Sequence, residues 1–477
     1  MAALALDASS SSEEAYSDTE SSTSNCGDLG DEPVHFTYSN GALVAGSLQL
    51  NDEDVITVAN IPGSGTVHSV FSLAPAPAAP EPEAEIKEHP FELRTINSAL
   101  LPPDFLDRHL FRALPAHFNA SNELRILIST LSGTGLAPDF FDEVLHPLLK
   151  AIGLPDSRYN VVRTTTPESV IEFARSTLLV GANQGRKQTV LMLSGDGGVV
   201  DTLNGLLDSG NRSSIYVPPI LTQLPLGTGN ALFHSLHRPS QIPSIYVQGL
   251  RTLLHGTPRP LPIFQATFSP GARLVTNEGQ TATPLPNNAL YGAVVASYGL
   301  HATLVADSDT TEYRKHGDKR FGLVAKDLLF PEDGSSPHAY KSNATLVKDG
   351  QGGTIHMGEH GYVLASLVSN LEKTFTISPA SKPLDGQLRV VRFGALDGEK
   401  TMDIMRAAYA DGKHVAMDGV GYTSVDSLRI QFLEKGESWK WRRCCIDGLV
   451  VGVEEGGWME VGMMARGTEA VEIVHDI

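Results

Sequence analysis

The 477-residue chain is 41% hydrophobic, enough to build two or three ordinary cores, and carries a formal charge of −19. Residues 1–90 hold fifteen Asp and Glu against one lysine, Lys87, which places −14 of that charge there and leaves the body only mildly acidic. That balance argues against nucleic acid as the main partner, because displacing counterions from phosphates needs a clustered basic face. Cys26, Cys444 and Cys445 form no disulfide framework, which points to a reducing, cytoplasmic setting.

Residues 1–32 are rich in Ser, Asp, Glu and Thr and too poor in large apolar side chains to offset chain entropy, so a disordered acidic tail is expected. The start has no basic n-region, and no secretory signal is expected. From Val34 to Val58 short alternating runs read as strands, followed by a stiff linker-like stretch at Ala74–Pro82. Leu106, Leu110 and Leu114 then fall four apart on a helix over Pro103–Leu114, an ordinary packed helix rather than a membrane-touching one.

From Glu123 strands and helices alternate, as in a parallel α/β sheet. Strands are expected at Leu124–Ser129, Tyr159–Thr164, Thr189–Ser194 and Pro219–Leu224, with helices over Asp139–Lys150, Glu168–Leu179 and from Ala231. Three strand ends run into Gly-rich turns: Ser132-Gly133-Thr134-Gly135, Ser194-Gly195-Asp196-Gly197-Gly198 and Pro225-Leu226-Gly227-Thr228-Gly229-Asn230. Ligands of such sheets bind outside the carboxyl ends of the strands, so the three turns are expected to converge. Each turn alone reads equally as plain structure, and Asp196 as a cap for the helix after it. Yet an acid in a turn suited to phosphate is repelled unless a cation or a proton-transfer role accounts for it. Past Arg259 the texture becomes β-rich, interrupted by a helical segment at Asp309–Leu329 and ending in a hairpin turn at Ile446-Asp447-Gly448. The longest apolar run, Ala289–Ala306, is broken by polar residues and reads as a buried strand and turn.

The order and spacing of the three turns, with Asn204-Gly205 after the second, resemble the diacylglycerol kinase catalytic domain family, which includes sphingosine, ceramide and bacterial lipid kinases. The resemblance covers roughly Asn122–Ile473. It implies α/β plus all-β architecture: a nucleotide-binding domain (121–260) and a β-sandwich lipid domain (261–477), behind a tail (1–32) and a segment of unknown role (33–120). ATP and Mg²⁺ are expected in the cleft between the two domains. Ser297-Tyr298-Gly299, Ala306-Asp307, Tyr313-Arg314, Gly317 and Arg320-Phe321 lean towards sphingosine kinases, as does Asn230-Ala231-Leu232.

By that resemblance Asp196 is the catalytic base and Asp307 holds the lipid head. Nucleotide contacts fall to Ser129, Leu131, Ser132, Gly133, Gly135, Thr164, Ser194, Gly195, Gly197, Asp201, Gly227, Thr228, Gly229, Arg314, Arg320, Asp447 and Gly448; no metal ligand is assigned. The implied partners are a lipid substrate, a sphingoid base favoured over diacylglycerol or ceramide, and a membrane surface touched peripherally from the cytoplasm. Pro383-Leu384-Asp385-Gly386 resembles the family's late Asp-Gly turn. Departures fall at Ser129-Thr130 (usually Asn-Pro), Ser169 (His), Gly198 (Thr or Leu), Asp201 (Glu) and Leu449 (Glu), and the lost Asn and Glu leave a catalytically weak, binding-only member as the rival reading.

Overall fold

The computed structural model describes residues 35–60, 67–75, 91–130, 133–208, 210, 212–316, 319–465 and 467–475. The acidic tail, most of the Ala74–Pro82 stretch, and Leu131, Ser132 and Gly317 lie outside them.

Apolar runs such as Ile126-Leu127-Ile128 and Val190-Leu191-Met192-Leu193 are buried on both faces, as parallel strands covered by helices require. They build a six-stranded sheet in the order Thr257–Pro260, Glu472–His475, Ile220–Pro225, Gln188–Ser194, Glu123–Ile128, Tyr159–Arg163. All neighbours are parallel except Thr257–Pro260, which runs antiparallel along Glu472–His475. The sheet is thus parallel with one antiparallel edge, and the last strand of the chain returns to it: Ile473 pairs with Leu221. In chain order the first strand, Glu123–Ile128, lies between the second and the third, so the crevice for a ligand opens at the ends of Glu123–Ile128 and Gln188–Ser194.

The helix after the first strand runs from Ala137 to Ala151 through a π turn at Phe141–Leu145. Pro147 lacks an N–H and crowds the carbonyl four residues back, which the wider turn accommodates. Helices at Ile245–His255 and Gly398–Tyr409 have no counterpart in the sequence reading.

The β-rich part departs from the expected two-layer sandwich. Thirteen strands join in a single antiparallel sheet that curls until Ala289–Gly292, at one end, lies against Arg443–Ile446. Its interior packs Phe264, Tyr298, Phe432, Cys444 and Met459. The apolar run from Ala289 is two strands, Ala289–Gly292 and Val295–Gly299, then a helix, Leu300–Ser308, rather than a turn. Gly299 makes that junction at φ 90°, where a Cβ would stand 2.8 Å from Gly361 O. The helical segment therefore begins earlier than expected and is broken into Leu300–Ser308, Thr311–Arg314 and Arg320–Leu329. No helix among the described residues is long and apolar enough to cross a membrane.

The described residues between 35 and 109 form two three-stranded sheets and the Pro103–His109 helix around Leu43, Val55, Val70 and Phe105. Leu106 and Leu110 pack on that core, while Leu114 lies beyond the helix end and is exposed. The unit is fastened to the α/β body. Phe91 meets Phe140 and Tyr246 edge-on at 5.1 and 5.5 Å, and Arg251 reaches in to donate to Val55 O (2.7 Å) and Asp52 O.

Candidate active site

The three Gly-rich turns converge, and their glycines are needed for contact with one another. A Cβ on Gly227 would lie 2.4 Å from Gly195 Cα, and one on Gly133 would lie 2.7 Å from Gly227 Cα and from Leu226 O. Real side chains never approach that closely, so the backbones of the turns touch directly. Gly133 and Gly135 additionally sit at φ 63° and 72°. Asn230, at φ 53°, locks the third turn: Gly227 N donates to its Oδ1 (3.0 Å) and its Nδ2 donates to Gly227 O (2.9 Å). Thr228 is exposed at the turn's tip, and Gly229 faces Leu371 O across the crevice.

Asp196 begins the Asp196–Leu207 helix, yet it does not cap that helix. Its carboxylate instead accepts from the first N–H groups of the neighbouring Ala231–Leu236 helix, Ala231 N at 2.6 Å and Leu232 N at 3.0 Å, with Gln223 Nε2 at 3.4 Å. Burial raises its pKa, and the three donors oppose that only in part. Gln223 escaped the sequence reading; the available signal was an amide set among Thr222, Leu224 and Pro225, four residues before Gly227.

Asp447 enters from the curled sheet. The Asp447-Gly448 turn is the expected two-residue hairpin, with φ 48° and 94° and Ile446 paired to Leu449. Its carboxylate accepts from three successive N–H groups, Ala293 (2.6 Å), Val294 (3.1 Å) and Val295 (2.5 Å). Even so, burial, reinforced by the charge on Asp196, pushes Asp447 up to about 7. Asp447, from the curled sheet, thus lies near enough to Asp196 to feel its charge.

Ser129 and Thr164 are buried at the ends of the first two strands, where Thr130 N donates to Thr164 Oγ1 (2.9 Å) and Thr130 Oγ1 to Thr164 O (2.6 Å). Ser169 accepts from the N–H groups of Thr165 and Thr166 and so braces the second loop. Gly198 fits because a Cβ there would strike the buried Ser194 Oγ at 2.3 Å, whereas Gly197 is exposed with open space around it. Asp385 pairs with Arg389 at 2.9 Å and acts within its own turn.

Asp201 is half-buried and pushed to about 7 by desolvation and by Glu168. A carboxyl raised this far stabilises the fold only below its ordinary value of 3.8, and that contribution is lost as the pH climbs towards 7. Asp201→Asn should therefore raise the Tm at pH 8 and leave it nearly unchanged at pH 4, as followed by thermal denaturation at both values.

The lipid-side residues stand differently from expectation. Asp307, at the end of the Leu300–Ser308 helix, is paired with the buried guanidinium of Arg443 at 2.7 Å, so its charge is already met. Arg443, which the sequence reading passed over, also donates to Lys440 O and lies over Trp439. Arg320 lies 4.0 Å from Asp309 and over the ring of Phe321. Arg314 ends the Thr311–Arg314 turn. Beside these helices a cavity of ≈ 360 Å³ is lined by Leu300, Leu328, Leu329, Phe393 and Leu396, with His338, Lys440 and Trp441 among its polar and aromatic walls. Among the described residues no three His, Cys, Asp or Glu side chains gather as a ready metal-ligand set.

Residues 123–266 match the family described as the diacylglycerol kinase catalytic domain. Among curated proteins it resembles sphingosine kinase 1 of Caenorhabditis elegans, 35% identical over 113 residues, which is 24% of this chain and 22% of that one. It also resembles sphingosine kinase 1 of Arabidopsis thaliana, 19% identical over 243 residues, 48% of this chain and 44% of that one. The matches thus span less than half of either relative. A putative diacylglycerol kinase from Bacillus anthracis str. Sterne superimposes with a TM-score of 0.48 at 14% identity, covering 74% of this chain and 97% of that one, and a structure described as a diacylglycerol kinase from the same organism gives 0.44 at 12%.

Proposed function

We propose that the chain is an ATP-dependent lipid kinase that phosphorylates the primary hydroxyl of a sphingoid long-chain base, with Asp196 as general base. The observation that carries this reading is the direct contact of the three glycine turns around a single partly desolvated carboxylate. ATP fits a cradle that any Cβ would fill. Mg²⁺ would enter as a hard cation on the nucleotide phosphates and would neutralise charge on their oxygens; the oxygens of Asp196 and Asp447 already accept N–H groups and offer it no ready ligand set.

Asp196 Oδ2 takes one N–H, from Ala231, and keeps a lone pair for the lipid hydroxyl. The proton passes to that oxygen as the hydroxyl oxygen bonds to the γ-phosphorus; the bond from phosphorus to the bridging oxygen breaks, and ADP leaves with the electron pair. The N–H groups of the Gly133–Gly135 and Gly227–Asn230 turns hold the phosphates, with Arg314 and Arg320 assigned to the developing charge. The side of the cavity lined by Leu300, Leu328, Leu329, Phe393 and Leu396 takes the alkyl chain: Val295, whose N–H binds Asp447, and Leu300 are five residues apart on one strand and its helix. A membrane surface is the source of that lipid, reached peripherally.

One observation favours a lipid without an amine, such as diacylglycerol or ceramide: Arg443 already occupies Asp307, so an ammonium group gains less there. Phosphorylation from labelled ATP with Mg²⁺ separates these readings, using sphingosine, phytosphingosine, diacylglycerol and ceramide on the full chain. The expected result is a long-chain base as best substrate. Preference for an ester or amide lipid moves the assignment to the second reading, and a folded chain that binds ATP and phosphorylates none of them ends both.

A further inference from the structure

The Asp196–Leu207 helix carries the proposed base at its first residue and, two turns later, Asn204, which is buried. Asn204 does not serve its own helix alone. Its Nδ2 donates to Tyr291 O at 2.9 Å, and Tyr291 N donates to its Oδ1 at 3.0 Å, while Nδ2 also donates to Val200 O at 2.9 Å. Tyr291 lies in Ala289–Gly292, the end strand of the curled sheet, whose other side pairs with Phe264–Phe268. The outward N–H and C=O of an end strand need partners when buried, and the amide of Asn204 supplies both, as a neighbouring strand would.

The chain leaving Tyr291 passes through Gly292, where a Cβ would meet Asp447 Oδ2 at 2.8 Å, directly into the three N–H groups that hold Asp447. One amide thus joins the element that aims Asp196 to the element that aims Asp447. Gly205, the next residue, lets the same helix sit against Ala174 and Ile171 on its other side.

We infer that Asn204 is a positioning residue: it fixes the Asp196 helix to the Ala289–Gly292 strand and so sets the separation of Asp196 and Asp447. Its catalytic consequence rests on the proposed kinase reaction; the joint itself does not. Eight residues of helix place Asp196 about 12 Å from the joint, so a tilt of a few degrees there moves the carboxylate by about 1 Å. A misplacement of that size costs on the order of 100-fold in rate. Another link between the two parts, Ser235 with Asn370 (2.9 Å from Asn370 N and 3.1 Å to Asn370 O), starts from a different helix and provides a comparison.

The test uses the full chain as wild type, Asn204→Ala, Asn204→Asp and Ser235→Ala. Each is measured for Tm, for kcat and KM with the best lipid, and for hydrogen exchange at residues 291–295. The expected result is a roughly 10- to 100-fold fall in kcat for Asn204→Ala, with both KM values within about twofold, and faster exchange at Ala293, Val294 and Val295. Ser235→Ala should lower the Tm and leave exchange at Ala293, Val294 and Val295 slow. Asn204→Asp, which keeps the acceptor for Tyr291 N and loses both donations, serves if the alanine variant does not fold, and is expected to fall in kcat likewise. An active wild type whose folded Asn204 variants keep kcat, or keep slow exchange at 293–295, overturns the inference. A wild type that phosphorylates no lipid but shows the exchange change overturns the kinase reading and leaves the joint standing.

Discussion

Asp196→Asn is expected to lower lipid phosphorylation by about 10²- to 10⁴-fold, the range for removing a general base. The change is larger than a lost charge. Both carboxylate oxygens receive backbone N–H groups, from Ala231 and Leu232. An amide can offer its oxygen to one of them, but its NH₂ then faces the other donor, so the side chain either turns or leaves an N–H of the Ala231–Leu236 helix unsatisfied. The cost to the fold is about 1 kcal/mol, comparable to losing a helix cap. Labelled-phosphate assays show the first effect and thermal denaturation the second. A folded variant retaining a tenth of wild-type kcat would remove Asp196 from the proton-transfer role. ATP affinity, measured by direct titration, should change much less, because the proposed mechanism assigns the phosphates to the glycine turns.

Gly227→Ala should have the second largest effect, and the reverse pattern. The new Cβ meets Gly195 Cα at 2.4 Å and Gly195 N at 3.0 Å, both backbone atoms with no rotamer by which to move aside. The two turns must separate by about 1 Å, a strain of about 1–3 kcal/mol for overpacking a tight contact. The N–H groups no longer converge on one phosphate group, so ATP affinity is expected to fall at least about tenfold, that is by about 1.4 kcal/mol. Gly462→Ala is the control, since a Cβ there meets nothing nearer than Ser427 Cβ at 3.7 Å and the residue lies outside the turns. Equal ATP affinities for the two variants would show that the contact between the turns does not shape the nucleotide site.

How far the sequence by itself reached follows from the range of the forces involved. Strand runs such as Leu191–Ser194 and the turn at Asp447-Gly448 were legible, because burial on both faces and positive φ are demands on neighbouring residues. The three glycine turns were legible as a set, because their order along the chain reflects the alternation of strand and helix. The departures at Gly198 and Ser169 found local reasons, in Ser194 Oγ and in the loop amides it braces.

What the tertiary structure decided is where side chains meet across long stretches of chain. Asp196 serves a helix thirty-five residues away, where the sequence suggested a cap for its own. Asp307 finds Arg443 at a separation of 136 residues, and no pattern of spacing announces such an ion pair. The last strand, Glu472–His475, looks like any other β segment of the second half, yet it completes the first sheet, because hydrogen bonding to Ile220–Pro225 depends on which edge is free rather than on composition. The sequence determined the local chemistry of each turn, because φ, packing volume and charge act within a few residues. Only the closed fold determined the partners of each carboxylate, because desolvation and hydrogen bonding act through space.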